Sequence, residues 1–461
     1  MQQRDDRTAR WQALDARHHL HPFTVFRELA ATGARIITRG EGCWIEDSEG
    51  NRILDGMAGL WCVNLGYGEE RLARAAFEQM RELAYYNTFF QCATPPAVEL
   101  AAAIAGLLPQ GFERIFFANS GSEANDTAIK AVWYYWNLEG RPEKKILISR
   151  RLAYHGVGLG SASLSGLAPM HAPFDLPLAR FRHIGDPYWY RDGGGLDGES
   201  FGIAAARWLE EEILRVGPER VAAFFGEPVQ GAGGVIIPPA SYWPEIARIC
   251  RRYDVLLVAD EVICGFGRTG RCWGFETFDF TPDIVTMAKG LSSGYQPIAA
   301  VAFGPRVGER IFASELEFAH GGTWAGHPVA CRVALETLRI MSEEGLFTRA
   351  GGPAGTLFRS RLAELADHPL VGEVRCCGFL AAIELVADKA TRRPFAPERR
   401  VGIRARELAL EHGLVMRAVR DVMVLAPPLV IAEEEIEELA RRVRRTLDAL
   451  ARELAAEGDG S

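Results

Sequence analysis

Short apolar runs alternate with amphipathic stretches through the middle of the chain. Each run has the length and composition of a buried strand: "ERIFFA", "KKILIS", "VAAFFGEP", "VLLVAD", "DIVTMA" and "IAAVAFG". The stretches between them have helical periods: "SEANDTAIKAVWYYW", in which Ala124, Ala128, Val132 and Trp136 share one face, "AARWLEEEIL" and "SYWPEIARICRRY". Because strands alternate with helices, the pattern predicts an α/β fold with a mostly parallel sheet flanked by helices on both faces.

The two ends of the chain follow other patterns. Near the start, residues 43–47 and 52–55 are predicted to form short strands around a Ser-Glu-Gly-Asn turn. From about Cys331, helical patterns bracket "VGEVRCCGFLAAIELV", which is typical of strands, and "EEEIEELARRVRRTLDALAREL" predicts a closing helix with a solvated charged face. We expect an N-terminal segment at 1–60 that packs with the small domain, a large domain at 61–328, and a small α+β domain at 329–461.

Composition and charge narrow the class of protein. Of the 461 residues, 48% are hydrophobic and 24% are charged, and the net charge of −8 offers no broad basic face to nucleic acid or an anionic membrane. No apolar run approaches the ~20 residues of a membrane-spanning helix, and the charged start "MQQRDDRTARWQALDARHHLHPFT" lacks the apolar core of a secretory signal. Nine cysteines without a CxxC spacing indicate reduced thiols. We therefore expect a cytoplasmic protein that binds neither nucleic acid nor membranes.

The stretch "VLLVADEVICGFGRTG" contains a GxGxxG pattern directly after an apolar run. A dinucleotide-binding loop needs a helix immediately after the glycines and an acidic residue ~20 positions further on. Here "RCWGFETFDFTPD" follows without a helical period, and the acidic pair Asp260–Glu261 precedes the glycines. The context therefore argues against a bound dinucleotide, and the glycines are expected to allow a tight loop with a close backbone approach.

Two polar residues stand at the ends of predicted strands. Asp260 ends "VLLVAD", and ligands of open α/β sheets bind at that edge, although Asp260 taken alone would be interpreted as a cap. Lys289 follows "DIVTMA". Since desolvating an ammonium is costly, a lysine at a buried strand end suits a neutral amine that forms a covalent bond to a carbonyl. The alternative is a surface lysine whose stem packs on apolar surface.

The segment "FFANSGSEANDTAIKA" turns from a strand into a helix at Ser120, Gly121 and Ser122. Ser120 and Glu123 have the spacing of a capping box, and the free N–H groups of a helix start suit a phosphate, with a plain capped helix as the alternative. Together with the strand-end aspartate and lysine, this makes the set that pyridoxal phosphate (PLP) requires. Its phosphate needs N–H donors, its ring nitrogen an anion, and its aldehyde an amine.

The chain resembles the class-III aminotransferases of fold type I and is similar to the pyruvate-dependent ω-transaminases. The resemblance runs from about His21 to the C-terminal helix and rests on these stretches: "DGMAGLWCVNLGYG", "YNTFF", "ANSGSEANDTAIK", "AYHG", "GEPVQGAGG", "LLVADEVICGFGRTG", "MAKGLSSGYQP", "HGGTWAGHPVAC" and "MRAVRDVMVLAPPL". It implies the fold of a type I PLP-dependent transferase with PLP bound by the large domain. It also implies a homodimer with shared active sites, or a tetramer of two such dimers.

The resemblance implies a role for each matching residue. Lys289 would bond to the cofactor and then carry the proton between substrate and cofactor carbons. Asp260 would pair with the pyridinium nitrogen, while Val262 and Tyr154 would lie against the two ring faces. Four residues would lie around the phosphate, the last of them supplied by the second subunit: Ser120, Gly121, Ser122 and Thr323.

Three further features follow from the same resemblance. Gly322 stands where relatives often carry an aromatic residue, which affects the local shape of the interface beside Thr323. Glu227 and Gln230 in "GEPVQG" would line or brace the site. The glycines of "CGFGRTG" would bring a tight loop close under the edge of the cofactor.

Substrate choice is assigned by the resemblance to Arg417 and Trp61. The guanidinium of Arg417 offers a bidentate fork for a carboxylate, and it would swing out when the amine donor has none. That movement would leave an apolar space lined by Trp61, Leu60 and Phe89, next to Tyr154. A surface salt bridge for Arg417 and a purely structural role for Trp61 are the alternatives.

The implied reaction is a ping-pong transfer of an amino group from an ω-amino acid, a diamine or a hydrophobic primary amine to pyruvate, which gives alanine and an aldehyde or ketone. Two alternatives stay open: a 2-oxoglutarate-dependent enzyme of the γ-aminobutyrate or ornithine type, which would need a second basic residue, and an intramolecular aminomutase or racemase. His18, His19 and His21 lack a matching carboxylate or cysteine spacing, so no metal is expected.

Overall fold

The computed structural model describes residues 2–458, and the side chains of residues 7–456. The N-terminal part contains helices and a small antiparallel ribbon. Its elements are α1 (Gln2–His18), α2 (Phe26–Thr32), β1 (Ile37–Glu41), β2 (Trp44–Asp47), β3 (Arg52–Asp55), α3 (Ala58–Trp61), α4 (Glu70–Leu83) and α5 (Pro95–Gly106). Strands β2 and β3 lie where the sequence predicts them.

A seven-stranded sheet forms the centre of the molecule. Its strands are β4 (Arg114–Ala118), β5 (Ile146–Arg150), β6 (Phe181–Ile184), β7 (Val221–Gly226), β8 (Leu256–Asp260), β9 (Ile284–Met287) and β10 (Ala299–Phe303), in the order β4-β10-β9-β8-β7-β5-β6. Strand β10 is antiparallel to both of its neighbours, and the other pairs are parallel. The mostly parallel sheet is therefore confirmed.

Helices cover the central sheet. They are α6 (Gly121–Leu138), α7 (Leu159–Leu164), α8 (Trp189–Asp192), α9 (Gly198–Val216), α10 (Tyr242–Arg252), α11 (Gly274–Thr277), α12 (Pro305–Phe312) and α13 (Pro328–Glu343). Helix α6 buries the predicted face completely, since Ala124, Ala128, Val132 and Trp136 are at most 1% exposed. This face packs against the apolar side chains of the sheet.

The C-terminal part is an α+β layer, as the sequence predicts. Its elements are α14 (Leu346–Arg349), α15 (Pro353–Ala363), β11 (Val371–Cys377), β12 (Leu380–Leu385), α16 (Val401–Glu411), β13 (Leu414–Val415), β14 (Arg417–Val419), β15 (Val422–Leu425) and α17 (Glu433–Gly458). Four strands form an antiparallel sheet in the order β11-β12-β15-β14. The short strand β13 is not part of this sheet and pairs in parallel with β3 of the N-terminal part. The boundaries at 60 and 328 stay a prediction.

The charged face of α17 is solvated in part, as predicted, since Glu434, Arg441 and Arg445 are exposed. One intrahelical i,i+4 pair forms, between Arg442 and Glu438 at 2.6 Å. Other charges pair with neighbouring helices, as Glu437 does with Arg361 at 2.7 Å. A single helix cannot reveal such partners, because they come from α15 and α16, which are far away in the chain.

The sequence predicts reduced thiols and no membrane-spanning helix. All nine cysteines are free thiols. Within residues 2–458, no helix is both long and apolar enough to cross a bilayer.

Candidate active site

All strands of the central sheet except β10 run in the same direction, so the carboxyl ends of these six strands lie at one edge of the sheet. A cavity of about 180 Å³ opens at this edge. Seven predicted site residues line it: Gly121, Ser122, Tyr154, Glu227, Asp260, Val262 and Lys289. Four residues that the sequence did not single out line it as well: Asn125, His155, Ile263 and Ala288.

Lys289 lies directly after β9, in the first position of a 3-10 turn, Lys289–Ser292. Its φ of +41° is unfavourable for a residue with a side chain, and such strain is typical of functional positions. Burial lowers the pKa of the Lys289 amine, although the carboxylate of Asp260 opposes the shift. The lysine is therefore poised to act as a neutral amine.

Asp260 presents a fixed carboxylate to the cavity. The side chain is 2% exposed. Its Oδ2 accepts hydrogen bonds from Asn125 Nδ2 at 2.8 Å and His155 Nδ1 at 2.7 Å, and its Oδ1 accepts one from the backbone N–H of Val262 at 3.1 Å. An anion held in this way suits a cationic ring nitrogen.

The start of α6 has the geometry of an anion site. Ser120 is the N-cap, and its Oγ accepts from the N–H of Glu123 at 3.2 Å. The reciprocal bond of a capping box is displaced by one residue, because Glu123 accepts from the N–H of Asn119 instead of Ser120. Ser120 thus serves the helix and is absent from the cavity lining, whereas Gly121 and Ser122 face the cavity.

Gly156 holds the next loop against this helix start. Its φ is +136°, and a Cβ there would lie 2.6 Å from Ser122 Oγ and 2.7 Å from Ser122 Cα. We expect Gly156→Ala to push Ser122 out of place and to weaken PLP binding by on the order of 10-fold, the effect of 1–3 kcal/mol of strain.

Equilibrium dialysis of PLP against the two proteins measures this change. Gly140→Ala is the matched control, because Gly140 also has a positive φ, +70°, but a Cβ there would meet no atom within 4 Å. Equal losses of PLP affinity in both variants would contradict the proposed contact, since only general backbone strain would then be involved.

Glu227 belongs to a buried charged pair behind the cavity. Its Oε1 accepts from the N–H of Tyr154 at 3.2 Å, and its Oε2 lies 3.5 Å from Arg150 Nη2. Burial raises the pKa of the Glu227 carboxyl. Gln230 braces the same loop, because its Nε2 donates to the carbonyl of Arg151 at 2.8 Å.

Arg417 and Trp61 meet beside the cavity. The guanidinium carbon of Arg417 lies 4.7 Å from the centre of the Trp61 ring. Trp61 is 3% exposed and packs in an apolar cluster with β15, so it is also part of the core. Burial lowers the pKa of Arg417, and the Tyr154 hydroxyl opposes the shift. Among residues 7–456, the Arg417 guanidinium contacts the Trp61 ring but has no hydrogen-bond or ion-pair partner, which leaves its fork free for a carboxylate.

Besides Arg417 and Trp61, four predicted residues are absent from the lining of this cavity within one copy of the chain. Leu60 is exposed. Phe89 lines a different cavity of about 350 Å³ with His320 and Gly321. Thr323 is exposed, and its carbonyl accepts from the Tyr85 hydroxyl at 2.7 Å. The roles of Leu60, Phe89, Thr323 and the capping residue Ser120 toward a ligand therefore stay predictions.

Gly322, which stands where relatives often carry an aromatic residue, has space for a side chain within one copy of the chain. A Cβ there would meet only the Asn119 Nδ2 atom, at 3.5 Å. The backbone of one copy therefore does not require glycine at this position.

The glycine loop is tight, as predicted, and its close backbone approach is to a distant segment of the chain. Gly267 and Gly270 have φ values of +88° and +95°. Added Cβ atoms would lie 2.7 Å from Leu346 O and 2.8 Å from Gly351 N. The loop thus closes on the backbone of residues 346–351 and none of its glycines lines the cavity, so their approach to the cofactor edge stays a prediction.

The histidines near the N-terminus do have a matching carboxylate, contrary to the sequence analysis. Asp15 Oδ1 lies 3.0 Å from His19 Nδ1 and 2.8 Å from His21 Nε2. This carboxylate precedes both histidines in the chain, because Asp15 lies on the last turn of α1. The three side chains satisfy one another by hydrogen bonds.

Residues 29–447 match the model of the family Aminotransferase class-III. The chain is 51% identical over 445 residues to the putrescine–pyruvate aminotransferase of Pseudomonas aeruginosa, an alignment that covers 96% of this chain and 97% of that protein. It is 42% identical over 454 residues to the diaminobutyrate–2-oxoglutarate transaminase of Halomonas elongata, with coverages of 96% and 97%.

A solved structure with the same fold is the ω-transaminase from Pseudomonas jessenii in complex with PMP. It superimposes with a TM-score of 0.94 at 44% sequence identity, and the superposition covers 96% of this chain and 98% of that one.

Proposed function

Since the chain belongs to the class-III aminotransferases, we propose that it transfers an amino group from a diamine or another primary amine, or from an ω-amino acid, to pyruvate. The observation that carries this proposal is Arg417. Its guanidinium has no hydrogen-bond or ion-pair partner among the described side chains, and it lies beside the cavity that contains the desolvated amine of Lys289. The products would be alanine and an aldehyde or ketone. The 51% identity to a putrescine–pyruvate aminotransferase supports the same reaction.

The residues of the cavity fit PLP, the cofactor of this family. The helix start with Gly121 and Ser122 suits the phosphate, Asp260 suits the ring nitrogen, and Lys289 suits the aldehyde. Asp260 Oδ1 accepts only the N–H of Val262 among the described residues, so it can accept a further hydrogen bond from the ring nitrogen.

When bound, PLP supplies a carbonyl that takes up the amino group and a ring that withdraws electrons from the substrate carbon. The chain supplies the rest. The Lys289 amine removes the proton from the substrate carbon and returns it on the cofactor side. Asp260 keeps a negative charge beside the ring nitrogen. Val262 and Tyr154 restrict the ring from the walls of the cavity.

Arg417 lets one site accept two kinds of substrate. The guanidinium fork can hold the carboxylate of pyruvate. A primary amine or a diamine has no carboxylate. The guanidinium has no ion-pair partner to break among the described residues, so it can move away from the Trp61 ring at low cost. The apolar ring then borders the space that the amine needs.

We expect Arg417→Ala to weaken pyruvate far more than a carboxylate-free amine. Loss of a charged, bidentate hydrogen bond should raise the KM for pyruvate by on the order of 10- to 100-fold, while the KM for putrescine changes little. Steady-state kinetics with each substrate varied in turn checks this. Arg420→Ala is the control, because Arg420 lies only three residues from Arg417, in the exposed turn after β14, and lines a different cavity. Equal effects on both substrates would mean that another residue holds the carboxylate.

The competing reactions have distinct signatures. A 2-oxoglutarate-dependent enzyme is a real competitor, because a 42%-identical relative is a 2-oxoglutarate transaminase. That enzyme type would regain the PLP form with 2-oxoglutarate and not with pyruvate. An aminomutase or racemase would turn over its substrate without any oxo acid.

We further propose that the active enzyme is a cytoplasmic homodimer. Thr323, Phe89 and Leu60 lie outside the cavity of one copy, and a second copy could bring Thr323 and Phe89 to it. A group of large apolar side chains is exposed on the single chain, as expected for an interface: Phe77, Met80, Tyr86, Phe90 and Trp324. The free cysteines suit a reducing compartment.

A further inference from the structure

The carboxylate of Asp260 is held by two side chains that the proposed reaction does not use. Asn125 comes from α6 and His155 from the loop after β5, and both donate to the same oxygen, Oδ2, at 2.8 and 2.7 Å. The other oxygen, Oδ1, accepts only the backbone N–H of Val262 among the described residues. Oδ2 thus accepts from two side chains, whereas Oδ1 accepts from one backbone N–H of its own loop and can accept a further hydrogen bond.

The two donors are themselves fixed. Asn125 Nδ2 also donates to the carbonyl of His155 at 2.7 Å, and Asn125 Oδ1 accepts from the Thr286 hydroxyl at 3.0 Å, which sets the orientation of the amide. Since a carboxylate oxygen only accepts, His155 Nδ1 carries the proton of this hydrogen bond. All three polar side chains, Asn125, His155 and Asp260, are at most 2% exposed.

A buried network of this kind is costly to assemble, because each polar group must leave water. The same sheet edge could have placed a strand-end aspartate with backbone donors alone, as Glu261 shows: its two oxygens accept from the N–H groups of Gly274 and Phe275. At Asp260, two side chains from separate elements bind Oδ2 instead, and Oδ1 can accept a further hydrogen bond.

We propose that His155 and Asn125 are positioning residues that act through Asp260: they hold Oδ2 so that Oδ1 is presented to the ring nitrogen of PLP. This inference rests on the proposed role of Asp260. It predicts that loss of His155 affects PLP affinity and kcat, with little effect on the KM for the amine, because His155 itself does not touch the substrate.

The test compares His155→Leu, which removes the donor, with His155→Asn, whose amide can place an N–H near the position of Nδ1. In the leucine variant, the PLP dissociation constant should rise and kcat should fall, each by on the order of 10- to 100-fold, the range for one hydrogen bond to a charged group. The asparagine variant should recover most of both. His183→Leu is the control, because His183 is a nearby histidine that bonds to the Leu164 carbonyl at 3.1 Å and does not line the cavity; its PLP affinity should match the parent enzyme.

A double-mutant cycle on PLP affinity, measured by equilibrium dialysis, shows whether His155 acts through Asp260. If it does, His155→Leu should add less than about twofold in an Asp260→Asn background. Full additivity would overturn the inference. Parent-like PLP affinity of His155→Leu would also overturn it, and the role of Asp260 would stand if Asp260→Asn alone is impaired.

Parent-like affinity and kcat of Asp260→Asn would overturn both the role of Asp260 and the inference. If His155→Leu does not fold, Asn125→Ala replaces it in the same cycle, because Asn125 donates to the same oxygen.

Discussion

The Lys289→Ala variant is expected to lose about 10⁴-fold or more in kcat, since both the covalent link to PLP and the proton transfer at the substrate carbon depend on this amine. The structure gives the physical reason. Lys289 stands at the carboxyl end of β9, its backbone is strained, and burial lowers the pKa of its amine toward the neutral, reactive form. The fold should persist, because alanine removes a charge that is costly to bury.

Absorbance spectroscopy and steady-state rates check this prediction. The band of lysine-bound PLP should be absent from Lys289→Ala, while circular dichroism stays unchanged. Lys144→Met is the matched control: Lys144 is also buried, burial lowers its pKa to about 8, and its amine donates to Asp254 O at 2.6 Å, away from the cavity. Retained steady-state transamination in Lys289→Ala would refute the assignment of the reactive lysine.

The Asp260→Asn variant should show the second-largest effect, a fall in kcat of on the order of 10²- to 10³-fold, the usual consequence of removing one preorganised electrostatic contact from an active site. Asparagine keeps the size of the side chain but removes the negative charge that the ring nitrogen needs. The amide can accept from Asn125 and His155 through its oxygen only if its N–H₂ group turns toward the Val262 N–H and the ring nitrogen, so a donor–donor conflict arises in either orientation.

Rapid mixing of the PLP-loaded variant with excess amine measures this effect on the first half of the reaction alone. The control is Asp283→Asn, because the Asp283 carboxylate accepts from the N–H of Leu257 at 2.8 Å in the same sheet and does not line the cavity. A half-reaction in Asp260→Asn as fast as in the control would show that the ring nitrogen does not depend on this charge.

The sequence predicts the parts of the site that follow from strand ends. Lys289 and Asp260 are visible because each interrupts an apolar run, and parallel strands bring such interruptions to one edge. The phosphate site is visible because small residues mark the start of α6. These signals are local, and the structure places all of them in one cavity.

The residues that sequence analysis missed have partners far away in the chain. His155 and Asn125 meet Asp260 across 105 and 135 positions, and a polar residue inside a helix or a glycine turn gives no sign of such a partner. The partner of the glycine loop, residues 346–351, and the pairing of β13 with β3 are equally distant.

The most direct test of the central claim, amine transfer to pyruvate, separates the two halves of the reaction on the purified enzyme. Putrescine, β-alanine, taurine or a benzylic amine is added, and loss of the absorbance of lysine-bound PLP is followed; after removal of the amine, pyruvate or 2-oxoglutarate is offered. We expect an amine of this panel to bleach the band and pyruvate to restore it, while 2-oxoglutarate does not. Restoration by 2-oxoglutarate alone would contradict the claim and would remove the specificity role of Arg417.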